Sequence, residues 1–385
     1  MRRLEHYVCA GGRRLRCGCT TGTCAAAATH AATELLLGHA LVPSVVVATP
    51  AGIDCVLDVE AAERGDGWAS CAVRKDAGDD PDVTDGVLVW ARVSLGADVG
   101  VTIEGGAGVG RVTRAGLDQP VGSAAINATP RAMIEREART VAASHGYAGG
   151  LAVLISIPGG EELAAHTFNP RLGIEGGLSV LGTSGIVRPM SEEALVETVR
   201  LELRVLRERG ARDVLVVPGN YGRDYAADVL GLSCDRLVTC SNYLGAAIDE
   251  AGMLGFASML VVGHAGKLVK VAAGIMNTHS RVADGRMEVL AAHAALAGAP
   301  AELVARVLDA PTVDAGLEML DACGLRERAT AALVGRMERY LRARAAEGLA
   351  VEAVVFSHAW GELGRTSGAD RLLALHGQDE RGEDG

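Results

Sequence analysis

Apolar residues recur along this chain in two rhythms. Across residues 45–103 they alternate with polar ones in VVVATPAG, IDCVLDVE, WASCAVRK, VLVWARVSL and VGVTIEGG, the period of two that predicts strands of an antiparallel or mixed sheet. Before them, CTTGTCAAAATHAATELLLG predicts an alanine-rich helix that stops at Gly38; after them, PRAMIEREARTVAASHG predicts a second helix with Pro130 in its first turn. From Leu151 onward each short apolar run leads into a glycine or asparagine turn: LAVLISI into PGG (158–160), LSVLG into GTSG (182–185), VLVV into PGNYG (218–222), LVTC into SNY (241–243) and SMLVV into GHAGK (263–267). Strand, turn and helix in that repeated order predict a doubly wound parallel sheet, whose ligands bind beyond the carboxyl ends of its strands.

The patterning therefore predicts an N-terminal α+β domain over residues 1–146, opening with a basic arm, and a C-terminal Rossmann-like doubly wound α/β domain over residues 147–364. In SEEALVETVRLELRVLRERG, Ser191 is a helix cap and Glu192 and Glu193 form an acidic first turn. Residues 286–344 read as helical, EAVVFSHAWG as one further strand, and residues 365–385 as a disordered tail.

Composition narrows the class. With 385 residues, 49% hydrophobic and 22% charged, the chain can bury more than one core. No apolar run reaches the roughly 18 residues of a spanning helix, and the start MRRLEHYVCAGGRRLRCG has no apolar signal core. A soluble cytoplasmic enzyme without a membrane partner is the expectation. Nine cysteines and no export signal argue for reduced thiols. Cys17, Cys19 and Cys24 lie close together, but no partner pair follows at zinc spacing, so no protein metal site is predicted. A net charge of −11 argues against nonspecific nucleic-acid binding, so an anionic ligand would need local arginines. The stretch DAGDDPDVTDG reads as a surface loop.

Two stretches invite a ligand on local grounds. Thr20, Thr21, Gly22 and Thr23 stand at a predicted helix N-terminus, which attracts a carboxylate or phosphate; plain capping by Thr23 is the alternative. EGGAGVGRVTRAGL (104–117) resembles the phosphate cradle of a small-molecule kinase, against which stands ordinary turn glycine.

Longer motifs carry a resemblance. TTGTCAAAA, GVGRVTRAGL followed by AINATPR, ISIPGGEELAAHTFNPRLGIEGGLSVLGTSGIVRPMSEEAL, PGNYG, SNYLG and GHAGKLVKVAAGIMNTHSRVADGRME stand in an order and spacing that resembles the cobalt-precorrin-5B C-1-methyltransferase family, the CbiD type of anaerobic cobalamin biosynthesis. The resemblance spans about residues 18–288; Cys17 and Cys19 stand where the family pattern has threonine and an aromatic residue. It implies transfer of the methyl group of S-adenosylmethionine to ring carbon C-1 of a cobalt-bound, ring-contracted tetrapyrrole, giving cobalt-precorrin-6A. Cobalt then enters only as part of the substrate.

Such a displacement needs two aligned partners and little water, and no nucleophilic side chain. Arg111, Arg114, Arg131, Arg171 and Arg188, with Thr20, Thr21, Gly22 and Thr23, are candidates for the substrate's acetates and propionates. Gly182, Thr183, Ser184 and Gly185, with Gly219, Asn220, Gly222 and Asn242, are candidates for the adenosyl donor, because glycine admits close backbone approach. If the ring loses a proton after methylation, His264, His279 or Asp284 would be the base. Lys267, three residues after His264, would lower that histidine's pKa and hold a substrate carboxylate. Lys267 and Lys270 are two of only three lysines in the chain. Two other readings stand beside this one: an ATP-dependent small-molecule phosphotransferase using residues 104–117, and a noncatalytic corrinoid-binding protein. The sequence is compatible with a homo-oligomer.

Overall fold

Helix α1 (Thr21–Leu37) lies in the interior, with Ala25, Ala26, Ala27, Ala28, Ala31 and Ala32 fully inaccessible. Its methyl side chains let neighbouring elements approach closely on several sides, a packing that larger residues would hold apart. The computed structural model describes residues 2–10, 12–96 and 98–377. It divides into two compact units, Met1–Ser191 and Glu192–Gly385.

In the first unit, β1 (Ser44–Ala48), β2 (Asp54–Gly65), β3 (Trp68–Arg74) and β4 (Leu88–Gly96) pair antiparallel in sequence order, as their alternation predicts. The strand β5 (Val101–Gly105), helix α2 (Ala128–Ser144) and strand β6 (Gly150–Ser156) then form a βαβ crossover, with β6 parallel to β5 and antiparallel to β4. The sheet has the order β1-β2-β3-β4-β6-β5. Val89, Ala91, Val93, Val153 and Ile155 share one buried cluster with α1 and α2.

This corrects the expected division at residue 146. LAVLISI is a parallel strand ending in a glycine turn, but the sheet it joins is the first one, and the division falls after Ser191. A short apolar run can identify a parallel strand without naming its neighbours. The run LSVLG forms no strand: Leu178 and Val180 make single bridges to Val109 and Ile126.

In the second unit, α3 (Glu192–Glu208) carries Glu192 and Glu193 in its first turn and Arg207 in its last, matching the helix dipole. The sheet is built from β7 (Asp213–Val217), β8 (Leu237–Thr239), β9 (Ser258–His264), β10 (Ala350–Ser357) and β11 (Gly361–Arg365), with α4 (Leu244–Met253) between β8 and β9. Between β9 and β10 run α5 (Arg286–Leu296), α6 (Ala301–Leu308), α7 (Val313–Asp321) and α8 (Arg326–Arg344), as the helical reading of that stretch expects. Strand order is β8-β7-β9-β10-β11; the first four are parallel and β11 is antiparallel. Val214, Val216, Met259, Val261, Val351 and Ala353 share one cluster with α3, α4 and α8. Leu215, Val217, Leu260, Val262, Val354 and Phe356 share another with α9 (Ala369–His376).

Residues 365–377 were expected in a disordered tail and are instead folded. β11 pairs with β10, and Ala369 and Leu372 of α9 are fully buried against the sheet. The polar look of the segment hid three apolar anchors spaced for one helical face, Ala369, Leu372 and Leu373. Residues 378–385 lie outside the described residues. Among the described residues no helix is long and apolar enough to cross a membrane.

The end of α9 sets a pH dependence. His376 is fully buried, and neither ring nitrogen has a partner among the described residues. Burial, with Arg236 nearby, pulls its pKa down to about 4. The unfolded chain takes up this proton near pH ~6.5 and the folded chain does not, so the stabilisation is present above about pH 6.5 and is lost as pH falls toward 4, by about 3 kcal/mol. His376→Leu should therefore show a smaller drop in Tm than wild type between about pH 7 and pH 5. Equal drops would assign the acid sensitivity to other groups.

Candidate active site

The carboxyl edge of the parallel strands of the second unit holds a cavity of about 680 Å³, lined by residues 218–222, His264, Gly266, Lys267, Arg286 and residues 312–314. The strand sequence explains why a cavity forms here. β7 is followed by Pro218, which cannot extend the ladder, and then by Gly219 with φ +152°, a conformation that favours glycine. The turn then enters a short helix, Asn220–Asp224, in which Gly222 lies so close to β9 that a Cβ would sit 2.6 Å from the Val262 carbonyl oxygen. β9 ends in His264, and the amino end of α7 supplies Thr312, Val313 and Asp314.

Lys267 ties this edge together. Its ammonium donates to the Pro218 carbonyl at 2.6 Å and the Ser241 carbonyl at 3.3 Å, joining the ends of β7 and β8. Ser241 holds φ +52°, a region a residue with a Cβ seldom enters. Burial lowers the Lys267 pKa, with Lys270 adding to the effect and Cys240 opposing it.

His264 is held differently from the expectation. Its Nδ1 accepts from the Gly266 N–H at 3.0 Å, capping the helix Ala265–Leu268. The neutral ring then carries its proton on Nε2, which is buried, lacks a hydrogen bond and lies 3.9 Å from Asp314 Oδ2. His264 thus presents a donor, not a basic lone pair. Its pKa is lowered by burial, opposed by Asp314 and assisted by His358; the expected influence of Lys267 is not among the causes, because that ammonium turns to backbone carbonyls. Asp314 Oδ1 accepts from Ser357 Oγ at 2.8 Å. His358 lies 5.0 Å from the His264 ring, and Tyr221 meets His358 edge-on at 4.6 Å.

The other candidate bases also have structural duties. His279 Nδ1 accepts from the Arg281 N–H at 3.1 Å, and the His279 backbone N–H donates to Asn277 Oδ1, so the residue builds a turn. Asp284 grips Arg286 with both oxygens at 2.6 and 2.8 Å, and that guanidinium holds its carboxyl below the usual range, making it a weaker proton acceptor. Asn242, expected at the donor, accepts from the Thr278 N–H and Thr278 Oγ through its carbonyl and Oδ1; buried Lys270 also bonds the Thr278 carbonyl. Gly219, Asn220 and Gly222 do line the cavity.

The remaining candidates belong to the first unit. Thr20, not Thr23, caps α1, its Oγ accepting from the Thr23 N–H at 3.2 Å. The Gly22 N–H donates to the Leu181 carbonyl, Thr21 Oγ accepts from the Leu181 N–H, and Thr23 Oγ donates to the Gly185 carbonyl at 2.6 Å. Ser184 Oγ bonds Ile186 within its own turn, and Thr183 is exposed. The helix end at Thr20–Thr23 is therefore closed by Leu181 and Gly185, Gly182 packs against Thr20, and Ser184 bonds within its own turn while Thr183 faces outward. The glycine stretch at 104–117 is spent likewise: a Cβ on Gly108 would lie 1.8 Å from the Ile157 carbonyl oxygen, so it meets backbone where a phosphate was considered.

Arg131 is committed to the carbonyls of Ile126, Ile103 and Ala124. Arg111 bonds the Gly122 carbonyl and lies 3.2 Å from Glu104 at the surface. The Arg114 stem covers Gly173, Arg171 falls in the turn Asn169–Leu172, and Arg188 is exposed after Ile186–Val187. Cys17, Cys19 and Cys24 are free thiols in the buried core. Tyr221, Arg286, Asp314 and His358 were missed. The first two stand inside quoted motifs without a charge pattern to mark them, and the last two reach the site only through the fold.

A mixed α/β chain with a small-molecule-sized cavity at the carboxyl ends of parallel strands is the class that fold and site define. Family models place it further: residues 9–189 match CbiD, and residues 277–367 match the CbiD C-terminal domain. The chain is 46% identical over 385 residues to the cobalt-precorrin-5B C(1)-methyltransferase of Ruminiclostridium cellulolyticum, covering 98% of this chain and 100% of that one. It is 43% identical to the protein of the same name from Alkaliphilus metalliredigens, over 97% of this chain and 98% of that one. A crystal structure of the cobalamin biosynthesis protein CbiD from Archaeoglobus fulgidus is similar at 29% identity and a TM-score of 0.40, over 73% of this chain and 87% of that one. The chain belongs to the CbiD family.

The joint at α1 yields a test of its structural role. Gly182 has φ +129°, and a Cβ there would meet Thr20 at 2.4 Å. Gly182→Ala should lower stability by about 1–3 kcal/mol in denaturant melts while leaving the calorimetric affinity for S-adenosyl-L-homocysteine unchanged. Unaltered stability with lost affinity would return the turn to the donor site.

Proposed function

We propose that this chain transfers the methyl group of S-adenosylmethionine to C-1 of cobalt-precorrin-5B, giving cobalt-precorrin-6A, with the donor held in the cavity of the second unit. The supporting observation is 46% identity across essentially the full length of a protein bearing that activity's name. We read the second unit as a Rossmann-like doubly wound domain; the order β8-β7-β9-β10 with helices in buried clusters on both faces supports this. A cavity of about 680 Å³ falls within the size range of small-molecule sites.

The chemistry asks for positioning. The bond from the methyl carbon to sulfur breaks as the bond to C-1 forms, and the electron pair leaves with the sulfur, so no protein group need accept or donate a covalent bond. What the chain supplies is a fixed turn: Lys267 pins the carbonyl before Gly219, and Gly219 presents backbone with no side chain in the way. Excluding water from the aligned pair protects the reaction and strengthens the polar contacts that orient it. The phosphotransferase reading loses its support, because residues 104–117 serve backbone contacts. A noncatalytic corrinoid carrier would bind the tetrapyrrole without consuming donor.

Incubation with methyl-labelled donor and cobalt-precorrin-5B, read by mass, should give a product heavier by one labelled methyl; binding without label transfer would favour the carrier. In parallel, Gly219→Val should weaken S-adenosyl-L-homocysteine binding at least ~10-fold in a protein that stays folded by circular dichroism. A Cβ there meets only Lys267 Nζ, at 4.0 Å, so the change burdens the turn without a clash. Wild-type affinity in that variant would move the donor elsewhere.

A further inference from the structure

We propose that the cavity of the second unit is polarised, with a cationic end at Lys267 and Arg286 that takes the amino-acid carboxylate of the methyl donor and an acidic end at Asp314 that takes its ribose hydroxyls. The proposal rests on the donor reading given above and adds the direction in which the donor lies.

The strand order lays the two ends out. Along the carboxyl edge the strands follow as β8, β7, β9, β10. Lys267 bridges the ends of β8 and β7 through the Ser241 and Pro218 carbonyls. Arg286 is tied to the same side: its partner Asp284 lies 3.8 Å from Lys270 Nζ, Lys270 bonds the Thr278 carbonyl, and Thr278 bonds Asn242 just beyond β8. The opposite side belongs to β9 and β10, where His264 and Ser357 flank Asp314.

The bonding at each end is incomplete in a complementary sense. An ammonium has three N–H donors, and Lys267 uses two, both on neutral carbonyls; among the described residues no carboxylate pairs with it. A half-buried cation without a counter-charge is costly to desolvate, and a ligand carboxylate supplies the missing charge. Arg286 commits Nε and Nη2 to Asp284, which fixes its plane, and it lines the cavity with no further carboxylate paired to it among the described residues. At the other end, Ser357 fixes Asp314 Oδ1, while Oδ2 sits beyond hydrogen-bond distance of His264 Nε2 and has capacity for a hydroxyl donor. That carboxylate would repel a ligand carboxylate and accept from a diol. A ligand with an acidic group at one end and hydroxyls at the other fits in one direction only.

The test compares two thioethers on the full chain by calorimetry: S-adenosyl-L-homocysteine, which carries the amino-acid end, and 5′-methylthioadenosine, which lacks it. Wild type should prefer the first. Lys267→Gln keeps a donor for the carbonyls and removes the charge. It and Arg286→Gln should each weaken the first ligand ~10–100-fold and leave the second within about 2-fold. Asp314→Asn should weaken both about equally. Should Lys267→Gln disturb the turn and weaken both ligands, Arg286→Gln, which touches neither carbonyl, decides: selective loss supports the orientation and unselective or absent loss overturns it. Unchanged affinity for both thioethers, with a raised KM for the tetrapyrrole, would also overturn it by assigning the cations to a propionate. If wild type binds neither thioether, the donor reading itself fails.

Discussion

Two backbones cannot come within hydrogen-bond reach when a Cβ stands between them, and much of this fold depends on removing that obstacle. Gly108 and Gly160 let the turns after β5 and β6 interlock: a Cβ on either would lie within 2.2 Å of the other segment's carbonyl oxygens. Gly182 admits Thr20 at the head of α1, and Gly222 admits the last turns of β9. The contacts of Gly108, Gly160 and Gly222 sit just after a strand has ended, so these glycines fasten strand ends to their neighbours. In the second unit it is Gly222 that does this, holding the turn after β7 against β9 at the wall of the cavity.

The same constraint explains what could be read beforehand and what could not. The alternating strands β1 to β4, the alanine helix α1, the acidic start of α3 and the strands β7, β8 and β9 followed from periodicity, because burial on one face or two leaves a direct mark on composition. Glycine turns were also legible, but a glycine that admits a ligand and one that admits another backbone look alike in sequence. PGNYG proved to line the cavity, whereas GTSG and residues 104–117 turned inward to chain. The difference lies in what faces the turn, a property of tertiary pairing. The same holds for His358, brought to His264 by the pairing of β9 with β10, and for Asp314, brought there by the amino end of α7; no local pattern marks either.

Charge follows a related logic. Many arginines among the described residues answer a carboxylate or a run of carbonyls: Arg16 with Asp76, Arg344 with Asp249, Arg131 with three carbonyls. The guanidinium fork suits such planar, multidentate duty. Lys267 and Lys270 do something a fork does less easily, placing a compact cation under a turn where one or two carbonyls converge. That explains why a chain so poor in lysine spends two of them, three residues apart, on the segments that follow β9.

On the proposed reading, the cavity serves a displacement that needs no acid, base or nucleophile from the protein, and several nearby side chains are occupied in keeping with that. Burial pushes the Cys240 thiol up to about 12, so it stays neutral beside Lys267 and offers no thiolate. His264 gives its lone pair to the Gly266 N–H, and the pKa of Asp284 is held low by Arg286. The two histidine and aspartate candidates named here are thus occupied, His264 with a backbone N–H and Asp284 with the Arg286 guanidinium. That occupation agrees with the proposed reaction, whose electrons move only between two bound molecules, since a competing nucleophile beside an activated methyl group would itself be methylated.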